Sequence, residues 1–151
     1  MTRLIRCLLA SVSFLWNAAA ADSIRIVIVE GDRAINNIRL NRAREPVVKV
    51  ETDAGAPVSA ALVQFQAPLE GPGGSFWGKA NATVMTDAQG LAAARGFQPN
   101  RSVGQFQIQV TASYYGQTAS AAIIQVNAEP STVSGTLRRM TLRFANYFKK
   151  N

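Results

Sequence analysis

The chain is predicted to be all-β, built from two antiparallel sheets packed face to face. Three observations lead there. Short stretches of alternating apolar and polar residues recur from residue 24 to residue 127, and a two-residue period buries one face of a strand and wets the other. Clusters of Gly, Pro, Asn and Asp separate those stretches as turns would. Before residue 130 no segment places apolar residues at i, i+3, i+4 and i+7, as an amphipathic helix would.

The first 21 residues read as a secretory signal. Arg3 and Arg6 supply the positive start, Cys7–Trp16 an apolar run, and Asn17–Ala21 a small-residue site with Ala19 and Ala21 at the −3 and −1 positions of cleavage. The run is too short to cross a bilayer, which needs roughly 20 residues. A buried N-terminal helix is the competing reading, and no charged residue within the run would give such a helix a solvent face. Cys7 stands at the start of the apolar run and after Arg6, so it does not read as a lipid-attachment site.

Strands then follow in order. Ser23–Glu30 (SIRIVIVE) is strongly β-prone, and a polar stretch runs on to Ala43. Pro46–Thr52 alternates Val47, Lys49 and Glu51 against Val48, Val50 and Thr52, and Asp53-Ala-Gly55 turns the chain before Pro57. Ala61–Gln66 sets Leu62, Gln64 and Gln66 against Val63 and Phe65. Glu70–Ser75 is glycine-rich and reads as a flexible hairpin tip ahead of Phe76-Trp77. Ala82–Thr86 and Leu91–Phe97 flank Asp87-Ala-Gln-Gly90 as a hairpin, with glycine in the left-handed position of the turn. Gln105–Tyr115 places Phe106, Ile108, Val110 and Ala112 on one face; Gly116-Gln117 turns, and Thr118–Asn127 returns. About seven strands of this kind describe an immunoglobulin-like antiparallel β-sandwich. It would occupy residues 22–129, between a signal peptide at 1–21 and a tail at 130–151.

Part of this pattern resembles the bacterial Ig-like group-one domain of the intimin and invasin family. The phrase V-x-V-x-D-x-x-G-x-P-V…V-x-F is carried by Val48, Val50, Asp53, Gly55, Pro57, Val58, Val63 and Phe65. T-D-x-x-G-x-A is carried by Thr86, Asp87, Gly90 and Ala92, and the last phrase by Gly104, Ile108, Val110 and Ala112. The sequence is also similar to the carboxypeptidase regulatory-like (transthyretin-like) domain, which uses the same D-x-x-G-x-P-V turn. It departs from the first family at Ala60, where the pattern has a small Gly, and in the additional strand at Ile24–Val29. The resemblance implies an Ig-like fold, a bacterial source, and display or adhesion at a cell surface.

Composition narrows the chemistry. The sequence has no His, and its one Cys is Cys7. Residues 22–129 therefore lack the thiol or imidazole that nucleophilic triads and dyads use, and cannot build a zinc site of Cys and His. Lys49 and Lys79 have no accompanying motif for a Ser–Lys arrangement. Gly71-Pro72-Gly73-Gly74 lies between strands and not before a helix, so it does not read as a phosphate loop. Neither an enzyme nor a cofactor is expected. Asp53 and Asp87 each have a nearby Gly and no second acid within three residues, which favours turn-capping over calcium binding. Asn81-Ala-Thr83 and Asn100-Arg-Ser102 match the N-glycosylation acceptor pattern. Trp77, Tyr114 and Tyr115 are candidate ligand aromatics for a carbohydrate or protein partner, or else packing residues.

Residues 22–129 contain nine Arg/Lys and nine Asp/Glu, so the excess positive charge lies at the two ends and nucleic-acid binding is not expected. In the tail, a helical projection puts Leu137, Met140, Phe144, Tyr147 and Phe148 on one side. Arg138, Arg139, Arg143, Lys149 and Lys150 take the other, with Leu142 the apolar exception. A short basic amphipathic helix of this kind suits an anionic membrane or envelope surface, with Arg138, Arg139, Arg143, Phe144, Phe148, Lys149 and Lys150 as contacts. A solvated tail, one folded back on the sandwich, and one docking a partner are the other readings. The function expected is a secreted or periplasmic, surface-associated structural or adhesion module. The alternatives are an extracytoplasmic ligand-binding domain, or a fragment of a longer anchored surface protein with Lys149-Lys150 at a domain boundary.

Overall fold

The computed structural model describes residues 23–130, all of it strand, turn and loop without helix. Ten strands form: β1 (Ile24–Glu30), β2 (Ala34–Asn37), β3 (Val47–Thr52), β4 (Leu62–Gln66), β5 (Gly74–Phe76), β6 (Asn81–Met85), β7 (Leu91–Ala93), β8 (Phe97–Pro99), β9 (Gly104–Tyr114) and β10 (Gln117–Ala128). They assemble into a three-stranded sheet β1-β3-β7, a five-stranded sheet β2-β10-β9-β4-β6, and the pair β5-β8. The expected signal segment and tail, with Ala19, Ala21 and the tail contacts Arg138 to Lys150, lie outside the described residues.

The alternation read from the sequence sets the faces. Val48 and Val50 of β3, Val63 and Phe65 of β4, and Ile108, Val110 and Ala112 of β9 are fully buried, together with Ile123 of β10. These residues come from both larger sheets and form a single hydrophobic cluster. Four phenylalanines extend it to the small pair: Phe65 to Phe76 at 6.3 Å between ring centroids, Phe76 to Phe97 at 5.0 Å, and Phe97 to Phe106 at 6.1 Å. Tilted rings at these separations add to the apolar burial that holds β5-β8 against the core.

Several expectations need correction. Ten strands form among the described residues where about seven were expected. The polar stretch after residue 31 contains β2, which pairs with β10 in parallel register from Ala34 opposite Gln125 to Asn37 opposite Ala128. The five-stranded sheet is therefore not purely antiparallel. The chain leaves β1 at Glu30 and, three residues later, runs beside the other sheet; Arg33 N–H donates to Ile124 O at 2.6 Å as it arrives. Buried Asn36, Gln125 and Asn127 replace the apolar residues that would have signalled a strand.

The segment Leu91–Phe97 is two strands in different sheets, separated by Ala94-Arg95-Gly96. The turn at Asp87–Gly90 is present, but its flanking strands do not pair as a hairpin: β6 joins β4 and β7 joins β3. Thr86 explains the divergence. Its buried hydroxyl donates to Val58 O at 2.7 Å and accepts from Ala61 N–H at 2.8 Å, tying the strand end to the loop before β4. The glycine-rich loop is packed and not a free tip: Gly73 is buried, and a Cβ on Gly74 would come within 2.3 Å of Gln98 O and 2.6 Å of the Phe97 ring. Ala60 takes a left-handed φ of 59° at the position where the resembled family has Gly.

Candidate functional site

The site begins with two adjacent residues that point opposite ways. Phe76 ends β5 and is buried in the phenylalanine row; Trp77 follows it and is 76% exposed. Phe76 N–H donates to Lys79 O at 2.7 Å, and Lys79 N–H returns a bond to Phe76 O at 3.0 Å. The two residues between them, Trp77 (φ 51°) and Gly78 (φ 80°), are both left-handed, the mark of a type I′ turn. Trp77 thus occupies a position that usually goes to Asn, Asp or Gly.

Its indole rests on glycine. The Trp77 backbone N–H donates to Gly96 O at 3.1 Å. A Cβ on Gly96 would lie 2.1 Å from the indole Cε2, 2.3 Å from Nε1 and 2.5 Å from Cδ2. Near-equal distances to three ring atoms place the Gly96 backbone against one face of the ring, and the other face is left to solvent. Glu45 secures the support from behind, its Oε1 accepting the Gly96 N–H at 2.7 Å. Trp77 is therefore a ledge: a flat apolar surface with a fixed orientation.

A groove of about 660 Å³ opens beside the ledge, and its walls include Trp77, Lys79, Arg95, and Asn81 and Thr83 of β6. That volume falls in the range of small-ligand sites. The two charged side chains lining it are both cations, and among the described residues neither has a carboxylate within ion-pair distance. β6 carries Asn81 and Thr83 outward from the edge of the five-stranded sheet, opposite Gln66 and Gln64 of β4.

The other aromatic candidates stand elsewhere. Tyr115 is 91% exposed, with a left-handed φ of 44°, at the tip of the hairpin joining β9 and β10. Tyr114 is partly buried against the core, and the two rings meet edge to face at 4.5 Å. The Trp77 groove includes neither tyrosine. Their hairpin rises beyond Ser113, which lies opposite Leu62; Leu62 in turn lies opposite Met85, at the end of β6 remote from Asn81. The three aromatics therefore do not form one site.

The remaining polar candidates have structural partners. Asp87 Oδ1 accepts the N–H groups of Gln89 and Leu91, each at 2.9 Å, and caps its own turn. Asp53 accepts the Ser23 hydroxyl. Among the described residues there is no group of three or more His, Cys, Asp or Glu that could hold a metal. The Asn100 side chain bridges Gly71, Gly73, Ser102 and Asn127, whereas Asn81 is exposed on its strand.

Sequence reasoning singled out Trp77 as a ligand aromatic, weighed Lys79 only for a Ser–Lys arrangement, and did not name Arg95 or Gly96. A local signal existed. Trp77-Gly78 and Tyr115-Gly116 are both aromatic–glycine pairs, and both form turns with positive φ at each residue. Nothing local signals that Gly96, nineteen positions along, lies beneath the indole. No protein-family model, curated protein or solved structure matches the chain.

Proposed function

We propose that the chain is an exported, non-catalytic, immunoglobulin-like module that works by contact at a cell surface, and that the Trp77 ledge makes the contact. One observation carries this reading: Trp77 is placed where folding gains little from it. A left-handed non-glycine residue costs about 1–2 kcal/mol. With 76% of its surface still exposed, the indole removes little apolar area from water to offset that cost. A partner would find the ring already oriented and would lose little side-chain freedom in ordering it. Tryptophan is also among the residues that most often dominate contact energies.

Strand order supports the immunoglobulin-like part. β1-β3-β7 stand as strands A-B-E, β10-β9-β4 as G-F-C, and β6 as the added C′ of the variable type. The pair β5-β8 has no counterpart in that scheme. The left-handed φ of Ala60 is a conformation glycine adopts most readily, which supports the intimin and invasin resemblance, whose pattern has Gly there. The Asp53–Val58 turn supports that family and the carboxypeptidase regulatory-like domain equally. Non-catalytic action is supported by the absence of His and Cys from residues 22–129. Export by cleavage after Ala21, a periplasmic or surface location, and a tail held on an anionic envelope belong to the same proposal. They are supported by the order of charge and apolar residues at the two ends.

The test is retention of intact bacterial cells or isolated envelopes by immobilised, purified full chain under flow. The wild type should retain them, and Trp77→Ser should lower apparent affinity at least about tenfold, roughly 1.4 kcal/mol. Equal retention by the variant removes the ledge from the proposal. No retention by wild type removes adhesion itself.

A further inference from the structure

We propose that the ledge and its groove bind an acidic saccharide, a pyranose stacked on the open face of Trp77 with its carboxylate held by Lys79 and Arg95. This rests on the adhesive reading above and names the chemistry of its partner. The shape of the ledge comes first. A pyranose has an apolar C–H face and a hydroxylated rim. The negative π-face of an indole attracts the weakly positive C–H groups, and Trp77 offers one such face while Gly96 covers the other. The rim needs hydrogen-bonding partners, and Asn81 and Thr83 line the same groove.

Charge then selects the class of sugar. Residues 22–129 balance nine basic against nine acidic side chains, so bulk composition does not account for a groove with two cations and no acid. Lys79 and Arg95 pair with no carboxylate among the described residues, and Glu45, bonded to the Gly96 amide, is not among the residues that line the groove. Cations outside any ion pair beside a preset aromatic surface complement a ligand that carries a negative charge and a flat apolar face together. A uronic acid residue within a polysaccharide has both. An acidic peptide supplies the charge but no broad C–H face for the indole.

The experiment is calorimetric titration of the full chain with a galacturonic acid hexamer, a neutral galactose oligomer of equal length, and poly-glutamate. The uronate should bind, with the neutral oligomer and poly-glutamate at least about tenfold weaker. Trp77→Ala should lower uronate affinity at least about tenfold. That variant matters because the tail's five cations attract any polyanion; an affinity unchanged by it belongs to the tail and overturns the assignment. Lys79→Gln/Arg95→Gln should erase the preference for uronate over the neutral oligomer and flatten the salt dependence. Equal affinity for the neutral oligomer, equal affinity for poly-glutamate, or no wild-type binding to the uronate would each overturn it. If cells are still retained through Trp77 while the uronate fails, the saccharide assignment falls and the adhesive reading stands.

Discussion

Glu51 lies on the outward face of β3, yet it is only 7% exposed because two basic side chains cover it. Arg25 sits directly opposite on β1, its Nε 2.9 Å from Glu51 Oε1, and Lys49 Nζ approaches Oε2 at 2.9 Å. The hydrogen bond from Lys49 and then that from Arg25 hold the carboxyl below the ordinary glutamate value of 4.5, against an opposing effect of burial. The consequence for stability has a definite sign. A lowered folded-state pKa stabilises the fold above the unfolded value, and that contribution is lost as pH falls through the folded value. Urea midpoints measured from pH 6 down to pH 2.5 should therefore fall less steeply for Glu51→Gln than for wild type, and parallel curves would refute the pairing. The sequence placed Glu51 on the wet face with Lys49 but was silent on its cover, because Arg25 arrives from another strand. Asp87 is the opposite case. It caps its own turn with N–H groups two and four residues away, so its role was legible locally.

At the scale of elements, the edge strand β2 is held by amides. Asn36 Nδ2 donates to Gln125 Oε1 at 2.9 Å and to Asn127 Oδ1 at 3.2 Å. Asn127 Nδ2 donates to Gly73 O at 2.8 Å and contacts Ser102 O at 3.3 Å, while Gln125 Nε2 donates to Gly31 O and Arg44 O. The cluster therefore joins β2, β10, the glycine-rich loop and the loop after β8. Buried amides remain only when satisfied. Asn127→Ala should cost about 1–3 kcal/mol, as partners are left without bonds. Amide hydrogen exchange should show protection lost at residues 34–37 and 73–74 before it is lost in β9. Uniform loss, or none, would show that the cluster does not hold these segments. AINN carries no apolar alternation, so its pairing could be read only once its partners were in place.

For the whole molecule, residues 23–130 depend on apolar packing without disulfides. The cluster spanning both larger sheets, extended by the row Phe65, Phe76, Phe97 and Phe106, connects every sheet. A chain of this size can bury enough surface to fold on that basis, and shared packing makes its unfolding collective. Thermal unfolding of residues 22–129 should follow one cooperative transition by near- and far-UV circular dichroism, with the same midpoint with and without dithiothreitol. A midpoint that drops on reduction, or two separated transitions, would contradict this account.

The sequence by itself determined that residues 23–130 are β-structured, which side chains of β3, β4 and β9 face the core, where the main turns fall, and that residues 22–129 hold neither His nor Cys. These are local properties: the side of a strand alternates residue by residue, and a turn is specified by its own few positions. Tertiary structure decided the rest. Any backbone amide can pair with any carbonyl, so local pattern does not choose between β6 joining β7 and β6 joining β4, or bring β2 parallel to β10. The ledge follows the same rule. Trp77 was legible as an aromatic residue near a glycine, but its open face and its neighbour Arg95 exist only because β8 brings Gly96 beneath the ring.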